Sequence, residues 1–224
     1  MKNRKNTVEL IGVYGGDDTH AASAWTSTTR DLTEDKKNRS GSLLKMLAEA
    51  GHHSPFEKSS LHFLVVTDIS THIQLLKHRI GVSINAESAR YKELKDDKFY
   101  VPTDWPSEEQ EIYVQHMEDS LKKYHECLSR LISKGFDRKR AKESARMYLP
   151  YGNQITSDVM FNWRSFMHFV GLRYASDAQM EIRNLADDML KSVMKLEGAP
   201  FKLTMQAFGL LDEEGNLIPP YDKH

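Results

Sequence analysis

The chain has few of the features that mark secreted, membrane-spanning or polyanion-binding proteins. It contains one cysteine, Cys127, in 224 residues, so no disulfide can form within it and a reducing compartment is favoured. Its apolar runs are shorter than the roughly 20 residues that a membrane-spanning helix needs. Acidic and basic residues nearly balance, 32 against 31, so no overall field attracts nucleic acid. We therefore predict a cytoplasmic protein without a membrane or nucleic-acid partner.

Glycine-rich phosphate loops and paired metal ligands are also missing. Neither GxGxxG after a strand nor GxxxxGK followed by serine or threonine occurs, so a Rossmann or P-loop nucleotide site is not indicated. The chain has 10 histidines but no HExxH motif, and the adjacent His52 and His53 cannot readily serve one metal from one helix face. No metal site is predicted.

The composition that remains, 39% hydrophobic and 28% charged, is typical of an ordinary globular protein. We predict one domain over residues 1–224, of the α+β class, with a central β-sheet packed against long helices. The segments "TVELIGVY" (7–14) and "SSLHFLVVTD" (59–68) are rich in β-branched residues and predict strands, the second buried on both faces.

Helical signals are found in several places along the chain. The sequence "SLLKMLAEAG" (42–51) predicts a short helix that ends at Gly51. Asp68 is expected to cap a helix over 69–79 that delivers His78 and Arg79 at its C-terminal end.

The clearest helix begins at Ser107, where apolar residues recur at steps of three and four. Ser107 and Gln110 have capping-box spacing, and Gly135 lies past the end. Asp137 can cap a second helix that runs to Tyr148. A third long helix is expected to start near Asp177, and Cys127 lies beside the apolar stripe of the first, where we expect it to pack as a small hydrophobe.

A dense set of donors occupies "KHRIGVSINAESARYKE" (77–93), which combines basic side chains with serines and an asparagine. Such a composition suits phosphate and carbonyl oxygens and indicates anion binding. The alternative, a solvated loop between core elements, is equally compatible with composition alone.

A second polar group lies inside the aromatic-rich stretch "FNWRSFMHFVGLRYASDAQMEI" (161–182). Its arginines, Arg164 and Arg173, need partners because burial of an unpaired guanidinium is very costly. The partners are either a bound anionic ligand or internal carboxylates such as Asp177 and Glu181.

Four ordered blocks of this sequence together resemble the flavin-dependent thymidylate synthases. "KHRIGVSINAESARY" resembles that family's RHR, short spacer, S-x-R-Y pattern. "GHHSPFE" is similar to its GH-x-[ST]-PFE segment and "ARMYLP" to its AR-x-x-LP. "FNWRSFMHFVGLRYASDAQMEI" is similar to its N-x-R-[ST]-x-x-N-F-x-x-LR-x-x-x-x-AQ-x-EI. The blocks cover roughly residues 20–190.

The resemblance implies an enzyme that converts dUMP to dTMP. Methylenetetrahydrofolate gives the one-carbon unit, reduced FAD gives the hydride, NADPH reduces the flavin, and tetrahydrofolate is released. It also implies a homotetramer with active sites between subunits and a flavin site that is not a Rossmann fold. No cysteine is expected to add to the pyrimidine, because Cys127 is assigned to packing. Arg173 is instead the catalytic cation that stabilises charge developing on the pyrimidine.

The resemblance also assigns binding residues by position. The FAD and folate side takes Thr26, His52, Ser54, Glu57, Lys77, His78, Arg79, Asn162, Arg164 and His168. The dUMP side takes Gln74, Glu87, Ser88, Ala89, Arg90 and Arg146, with Arg173 at the base.

Four residues depart from the family pattern: Lys77 replaces arginine, Ala86 replaces a glutamate with Glu87 next to it, His168 replaces asparagine, and Asp177 replaces histidine. Two alternatives to dTMP synthesis therefore stay open at this point. One is a related enzyme that acts on another pyrimidine nucleotide or stops at a hydroxymethyl product. The other is a nucleotide-binding regulatory protein that keeps the pocket without turnover.

Overall fold

A computed structural model describes residues 4–28, 33–88 and 97–220 of the protein. These residues form four strands and nine α-helices, which confirms the predicted α+β class. The strands are β1 (Thr7–Tyr14), β2 (Ser60–Asp68), β3 (Val82–Ala86) and β4 (Gln154–Phe161). The helices are α1 (Asp17–Trp25), α2 (Glu34–Asn38), α3 (Ser40–Glu49), α4 (Ile69–Leu75), α5 (Ser107–Ser133), α6 (Arg138–Ala145), α7 (Trp163–Arg173), α8 (Met180–Met194) and α9 (Lys202–Ala207). Two short 3-10 helices span Ser54–Glu57 and Arg146–Tyr148.

The four strands form one sheet in the order β1-β2-β4-β3. Along β2, the buried Leu61, Phe63 and Val65 alternate with the half-buried His62 and Leu64. The prediction that this strand is buried on both faces is therefore wrong. Its apolar residues fill both alternating sets, but only one set points into the core, as in a sheet covered on a single side.

Two predicted helix caps are confirmed. Asp68 precedes α4, and its Oδ1 accepts a hydrogen bond from the Thr71 backbone N–H at 2.9 Å. Asp137 precedes α6 and accepts from the backbone N–H groups of Lys139 and Arg140 at 2.9 and 3.1 Å. Each carboxylate satisfies amides that the first turn of a helix leaves without intrahelical partners.

The predicted capping box of α5 is wrong, although the helix itself is confirmed. Pro106 occupies the cap position, so Ser107 is already the first helical residue. The Gln110 side chain donates to the Trp105 carbonyl at 2.8 Å instead. Gly135 follows the helix with φ of 83°, as expected for a glycine that ends one.

Helix α4 is shorter than predicted, because it ends at Leu75. His78 and Arg79 therefore lie in the connection to β3 and not in the last turn of the helix. Tertiary hydrogen bonds hold the chain that follows: the Ile80 carbonyl accepts from Ser165 of α7, and the Gly81 carbonyl accepts from Asn162, which caps that helix.

The other predicted helices are confirmed with shifted bounds. Helix α6 ends at Ala145 instead of Tyr148, because Arg146–Tyr148 form a 3-10 helix. Helix α3 begins at Ser40 and so extends the predicted 42–51 segment at its N-terminus. Helix α8 begins at Met180 rather than near Asp177, because Gln179 keeps an extended backbone with ψ of 137°.

The described residues fall into two compact units. The first unit comprises those of Met1–Thr7, Val65–Leu75 and Asn85–Ser157, and the second those of Val8–Leu64, Leu76–Ile84 and Asp158–His224. In the first unit, α5 packs on α6 through a buried cluster of Tyr124, Leu128, Ala141 and Ala145. Cys127 is half-buried and packs against this cluster, which confirms its predicted structural role.

The core of the second unit is aromatic. Phe63 of β2 contacts Phe166 of α7, and Phe161 of β4 contacts both Phe166 and Phe169, with ring centroids 5.4 to 5.7 Å apart. All four rings are fully buried. This packing fixes one face of α7 on the sheet and leaves Arg164 and His168 exposed.

Among the described residues, no helix combines the length and apolar character needed to cross a bilayer.

Candidate active site

The segment that follows α4 is attached to the first turn of α7. The Ser165 hydroxyl donates to the Ile80 carbonyl at 2.7 Å, and the Asn162 backbone N–H donates to the Gly81 carbonyl at 3.2 Å. Gly81 has φ of 65°, a conformation that favours glycine, and a Cβ at this position would lie 2.6 Å from Asn162 Nδ2. Because it is a glycine, Gly81 can approach Asn162 closely, and this approach fixes residues 77–81 against the start of α7.

His78 is the buried member of this segment, at 5% exposure, between the exposed Lys77 and Arg79. Its Nε2 accepts a hydrogen bond from Arg173 Nε at 3.1 Å. The imidazole also meets Phe169 edge-on, with centroids 5.0 Å apart, and His168 at 5.8 Å. The structure therefore brings together the middle residue of the basic motif and the predicted catalytic arginine.

The environment of His78 strongly favours its neutral form. Burial is the main cause, and the positive charge of Arg173 and the nearby His168 ring add to it, lowering the pKa of His78 to about 4. At neutral pH the ring is uncharged and accepts one hydrogen bond without competing for the cationic role of Arg173.

Helix α7 positions the other polar residues of the predicted flavin site. The Asn162 side chain caps the helix by accepting from the Ser165 backbone N–H at 2.8 Å. Arg164 is exposed and pairs with Glu57 at 2.5 Å, which joins α7 to the "SPFE" segment. His168 lies one turn beyond Arg164 on the same exposed side of the helix.

The remaining predicted flavin residues are less closely tied to this group. His52 and Ser54 are exposed at the start of the 3-10 helix that carries Glu57. Thr26 follows α1, and its hydroxyl donates to the Ala22 carbonyl at 2.9 Å within its own turn.

The predicted nucleotide residues that are described belong to the first unit, apart from Arg173. The Glu87 backbone N–H donates to the Thr156 carbonyl at 2.8 Å, and the Thr156 N–H donates back to the Glu87 carboxylate at 3.3 Å. Gln74 and Ser88 are half-buried, and Arg146 is exposed in the 3-10 helix after α6. Ala89 and Arg90 lie outside the described residues.

A scan against protein-family models matches residues 9–199 to the family described as thymidylate synthase complementing protein. The flavin-dependent thymidylate synthase of Clostridium tetani is 36% identical over 185 residues, which cover 77% of this chain and 72% of that protein. The chain belongs to the flavin-dependent thymidylate synthase family. The predicted family and enzyme class, a methyltransferase, are thereby confirmed.

Other members and relatives of the family match nearly the whole chain. The flavin-dependent thymidylate synthase of Streptomyces avermitilis is 34% identical over 241 residues, covering 95% of this chain and 93% of its own. Among solved structures, the UMP/dUMP methylase PolB from Streptomyces cacaoi bound with 5-Br UMP has a TM-score of 0.76 at 27% identity and covers 92% of this chain and 95% of its own. The same protein bound with 5-Br dUMP matches at 28% identity.

The sequence does not identify two groups of residues in the second unit. Ser165 and Gly81 hold the basic segment 77–81 in place, and the sequence signal for them is an isolated glycine, Gly81, between charged and polar residues. His20 was also missed: it is fully buried, with Nδ1 3.0 Å from Thr204 Oγ1 and Nε2 2.8 Å from Ser59 Oγ. A lone histidine in the sequence gives no indication that both nitrogens are paired.

Proposed function

We propose that this protein is a thymidylate synthase that methylates dUMP to dTMP. Methylenetetrahydrofolate is the proposed carbon donor, and FAD reduced by NADPH is the proposed hydride donor. The observation that carries the proposal is the family match over residues 9–199 together with relatives of that name at up to 36% identity. The site chemistry described next supports it.

The residues assigned to FAD suit an anionic heteroaromatic cofactor. Lys77 and Arg79 are exposed cations on either side of His78 and can pair with phosphate oxygens. His78 Nδ1 is buried and has no hydrogen-bond partner within residues 4–28, 33–88 and 97–220, although a buried polar atom ordinarily has one. A cofactor with ring carbonyl and ring nitrogen atoms would complete the hydrogen bonding of this position.

Further residues on the same unit are assigned to the flavin and folate side. The Glu57 and Arg164 pair joins two segments of that assignment and supports it. The full proposed set adds Thr26, His52, Ser54, Asn162 and His168. FAD, when bound, supplies hydride chemistry that no side chain provides.

Arg173 is proposed to activate the pyrimidine. Carbon C5 of uracil becomes more nucleophilic when N3 releases its proton to solvent, and the negative charge left on the ring is shared by N3 and the carbonyl oxygens. A guanidinium at this edge stabilises that charge, and a preoriented cation does so without reorganising during the reaction. The hydrogen bond from Arg173 Nε to His78 supplies such preorientation.

The proposed mechanism has no cysteine adduct. Cys127 is the sole cysteine, and its thiol packs against the Tyr124 and Leu128 cluster on α5. A half-buried thiol in apolar surroundings acts as a small hydrophobe.

The phosphate and sugar of dUMP are assigned to the first unit and to the motif residues near it. The proposed set is Gln74, Glu87, Ser88, Ala89, Arg90 and Arg146. We further propose that residues 1–224 act as a single domain in a cytoplasmic homotetramer whose active sites lie between subunits, with no nucleic-acid or membrane partner.

UMP is a second candidate substrate. The solved structure with a TM-score of 0.76 is a UMP/dUMP methylase bound with 5-Br UMP, which favours a pocket that tolerates the ribose 2′-hydroxyl. The relatives from Clostridium tetani and Streptomyces avermitilis, at 36% and 34% identity, are named flavin-dependent thymidylate synthases, so dUMP is the leading substrate.

One experiment tests both candidates. The purified protein is incubated with FAD, NADPH, methylenetetrahydrofolate and either dUMP or UMP, and the nucleotide product is identified by mass. We expect a product about 14 mass units heavier than dUMP, because a methyl group replaces one hydrogen atom of the substrate. A product from UMP alone supports the second candidate, and no product from either, with FAD bound, supports the regulatory alternative.

A further inference from the structure

Helix α6 carries a local excess of positive charge. Residues 134–146 include six basic and two acidic side chains, although the whole chain has slightly more acidic residues than basic ones, 32 against 31. Arg138, Lys139 and Arg140 occupy the first turn of α6, which contains no acidic residue. These cations lie at the positive end of the helix dipole, and that arrangement is electrostatically unfavourable.

Helix α5 of the same unit has the ordinary arrangement of charge. Glu108 and Glu109 lie in its first turn, where the helix dipole favours acidic side chains. Its residues 107–119 contain no lysine or arginine. The charge of α6 is therefore not a general property of the helices in this unit. A segment that breaks a local rule of stability in an otherwise regular fold commonly does so for function.

Three of the basic residues form a row along one side of the α6 segment. Ala141 and Ala145 are buried against α5 and fix how the helix is rotated. Arg138, Lys142 and Arg146 recur every four residues, so they lie one above the other beside the buried alanines. Arg138 and Arg146 are exposed, and Lys142 is half-buried. Like charges at this spacing repel each other, so the row does not exist for the stability of the helix.

The two acidic residues of the segment leave a net positive charge on it. Asp137 caps the helix, and its Oδ2 accepts from the backbone N–H groups of Lys139 and Arg140 at 2.9 and 3.1 Å. A carboxylate oxygen of Glu143 lies 3.6 Å from the Arg140 guanidinium. Lys139 is exposed next to the row and adds to its charge.

The row ends at Arg146, which belongs to the residues proposed for dUMP. Helix α6 has eight residues and rises about 1.5 Å per residue, so the row is about 12 Å long. The Debye length is about 8 Å at physiological salt and about 30 Å at 0.01 M. A phosphate monoester carries a charge of about −1.5 to −2 at neutral pH. A nucleotide that approaches Arg146 therefore lies within the field of the whole row at low salt.

We propose that Arg138, Lys139 and Lys142, which we call the basic row, are an electrostatic guide that attracts the phosphate of dUMP toward Arg146. The basic row raises the rate of association and does not contact the bound nucleotide. The inference rests on the proposed function, which supplies both dUMP and the role of Arg146. Charges at the edge of a binding site characteristically change the association rate and its salt dependence, with little effect on dissociation.

The variant that tests the guide is Arg138→Gln combined with Lys139→Gln and Lys142→Gln. Glutamine keeps a long polar side chain and a high helix propensity, so the fold should be retained, and a thermal melt checks this. The single variant Lys142→Gln removes the charge of the basic row that is nearest to Arg146. It provides a second measurement if the triple variant is unstable.

A matched control removes the same charge from the second unit. It combines Lys45→Gln on α3 with Lys191→Gln and Lys195→Gln at the C-terminal end of α8. All three lysines are exposed, and none belongs to the proposed site. The control separates an effect of the basic row from an effect of net charge.

Association and dissociation rate constants for dUMP are measured by rapid mixing with the FAD-loaded protein, followed by flavin absorbance. At about 0.01 M NaCl we expect the triple variant to associate about tenfold more slowly than the wild type, and Lys142→Gln about twofold more slowly. At about 0.3 M NaCl the difference should shrink to within about twofold, because salt screens the row. The dissociation rate constant and kcat should stay within about twofold of wild type at both concentrations.

Several outcomes would overturn the inference. One is an unchanged association rate constant at low salt, and another is a loss of equal size in the control. Faster dissociation with unchanged association would show that the row contacts bound dUMP directly. Slower binding of NADPH with unchanged binding of dUMP would show that the row serves a different anion.

The outcomes also separate this inference from the proposed function. A wild type that makes dTMP, with a triple variant that associates equally fast, overturns the inference alone. A wild type that binds dUMP but makes no dTMP overturns the proposed function, and the association rates still decide whether the basic row guides the nucleotide. A wild type that does not bind dUMP overturns both.

Discussion

Two histidines in the second unit are buried to a similar extent but differ in how many of their ring nitrogens have hydrogen-bond partners. His20 is fully buried, and both of its ring nitrogens have partners, Thr204 and Ser59. His78 is nearly as buried, yet its Nδ1 has no partner in the part of the chain that the structure describes. Burial lowers the pKa of each histidine to about 4. Burial and titration therefore do not distinguish them, and hydrogen-bond satisfaction does.

The surroundings of His20 explain its complete satisfaction. Thr204 Oγ1 also donates to Asp17 Oδ1 at 2.6 Å, so a chain of hydrogen bonds runs from a carboxylate through a hydroxyl to the imidazole and on to Ser59. The network links α1 and α9 to Ser59, the residue before β2. A closed network of this kind stabilises one arrangement of the core, whereas an open one is suited to receive a ligand.

The largest expected effect is on stability and concerns His20→Ala. The variant leaves the Thr204 and Ser59 hydroxyls without a shared partner and opens a cavity beside Phe56 and Phe201, at a cost of about 4 kcal/mol in the free energy of unfolding. Chemical denaturation measures this loss, with His116→Ala as the exposed control. A change below about 1 kcal/mol would show that the network is dispensable.

Arg173→Ala should have the next largest effect, on catalysis instead of stability. Removal of the cation proposed to stabilise the pyrimidine should lower kcat by about 10²-fold to 10³-fold, the range for loss of one electrostatic stabiliser. Steady-state kinetics with saturating dUMP measures it, and a thermal melt checks that the fold is retained. A kcat within twofold of wild type would contradict the assigned role.

The two histidines also predict a pH dependence of stability. Below pH 6.5 the unfolded chain takes up protons that the folded protein does not accept until about pH 4, so the free energy of unfolding falls as pH falls between these values. Each histidine contributes about 3 kcal/mol over this window. The raised pKa of Asp17 acts with the opposite sign, because its folded form takes up a proton first.

The measurement is a comparison of slopes. Free energies of unfolding are determined from pH 6.5 to 4 for the wild type and for His20→Gln, which cannot titrate. The variant should show a shallower slope, by up to about 1.4 kcal/mol per pH unit. Equal slopes would mean that His20 is not held neutral in the folded protein.

Much of the fold was predictable where one signal dominated. Helix α5 was predicted from an uninterrupted apolar period, and Asp68 and Asp137 were identified as caps from their position before helical segments. The sequence does not predict helix α7, because its aromatic residues and interspersed arginines do not give a single clean period. The error in β2 has the same origin, since apolar residues on both faces do not reveal which face is covered.

The candidate site was predictable as a set of residues but not as a geometry. The motifs identified His78 and Arg173 as functional, yet their hydrogen bond joins positions 95 residues apart and depends on how α7 packs. The roles of Gly81 and Ser165 likewise exist only after the two segments meet. Conversely, Glu87 pairs with Thr156 of β4, a contact that neither motif encodes.

The smallest effect is expected for Cys127→Ser, which tests whether catalysis depends on Arg173 and not on the cysteine. If Arg173 and His78 activate the pyrimidine, the only thiol is dispensable, and kcat should stay within about twofold of wild type. Stability should fall by about 1 kcal/mol or less, because the half-buried side chain keeps its volume and only exchanges sulfur for a hydroxyl next to Leu128. Kinetics and denaturation on the same preparation measure both. Complete loss of turnover in a folded variant would favour a covalent sulfur adduct, and the unsatisfied nitrogen of His78 would then need another explanation.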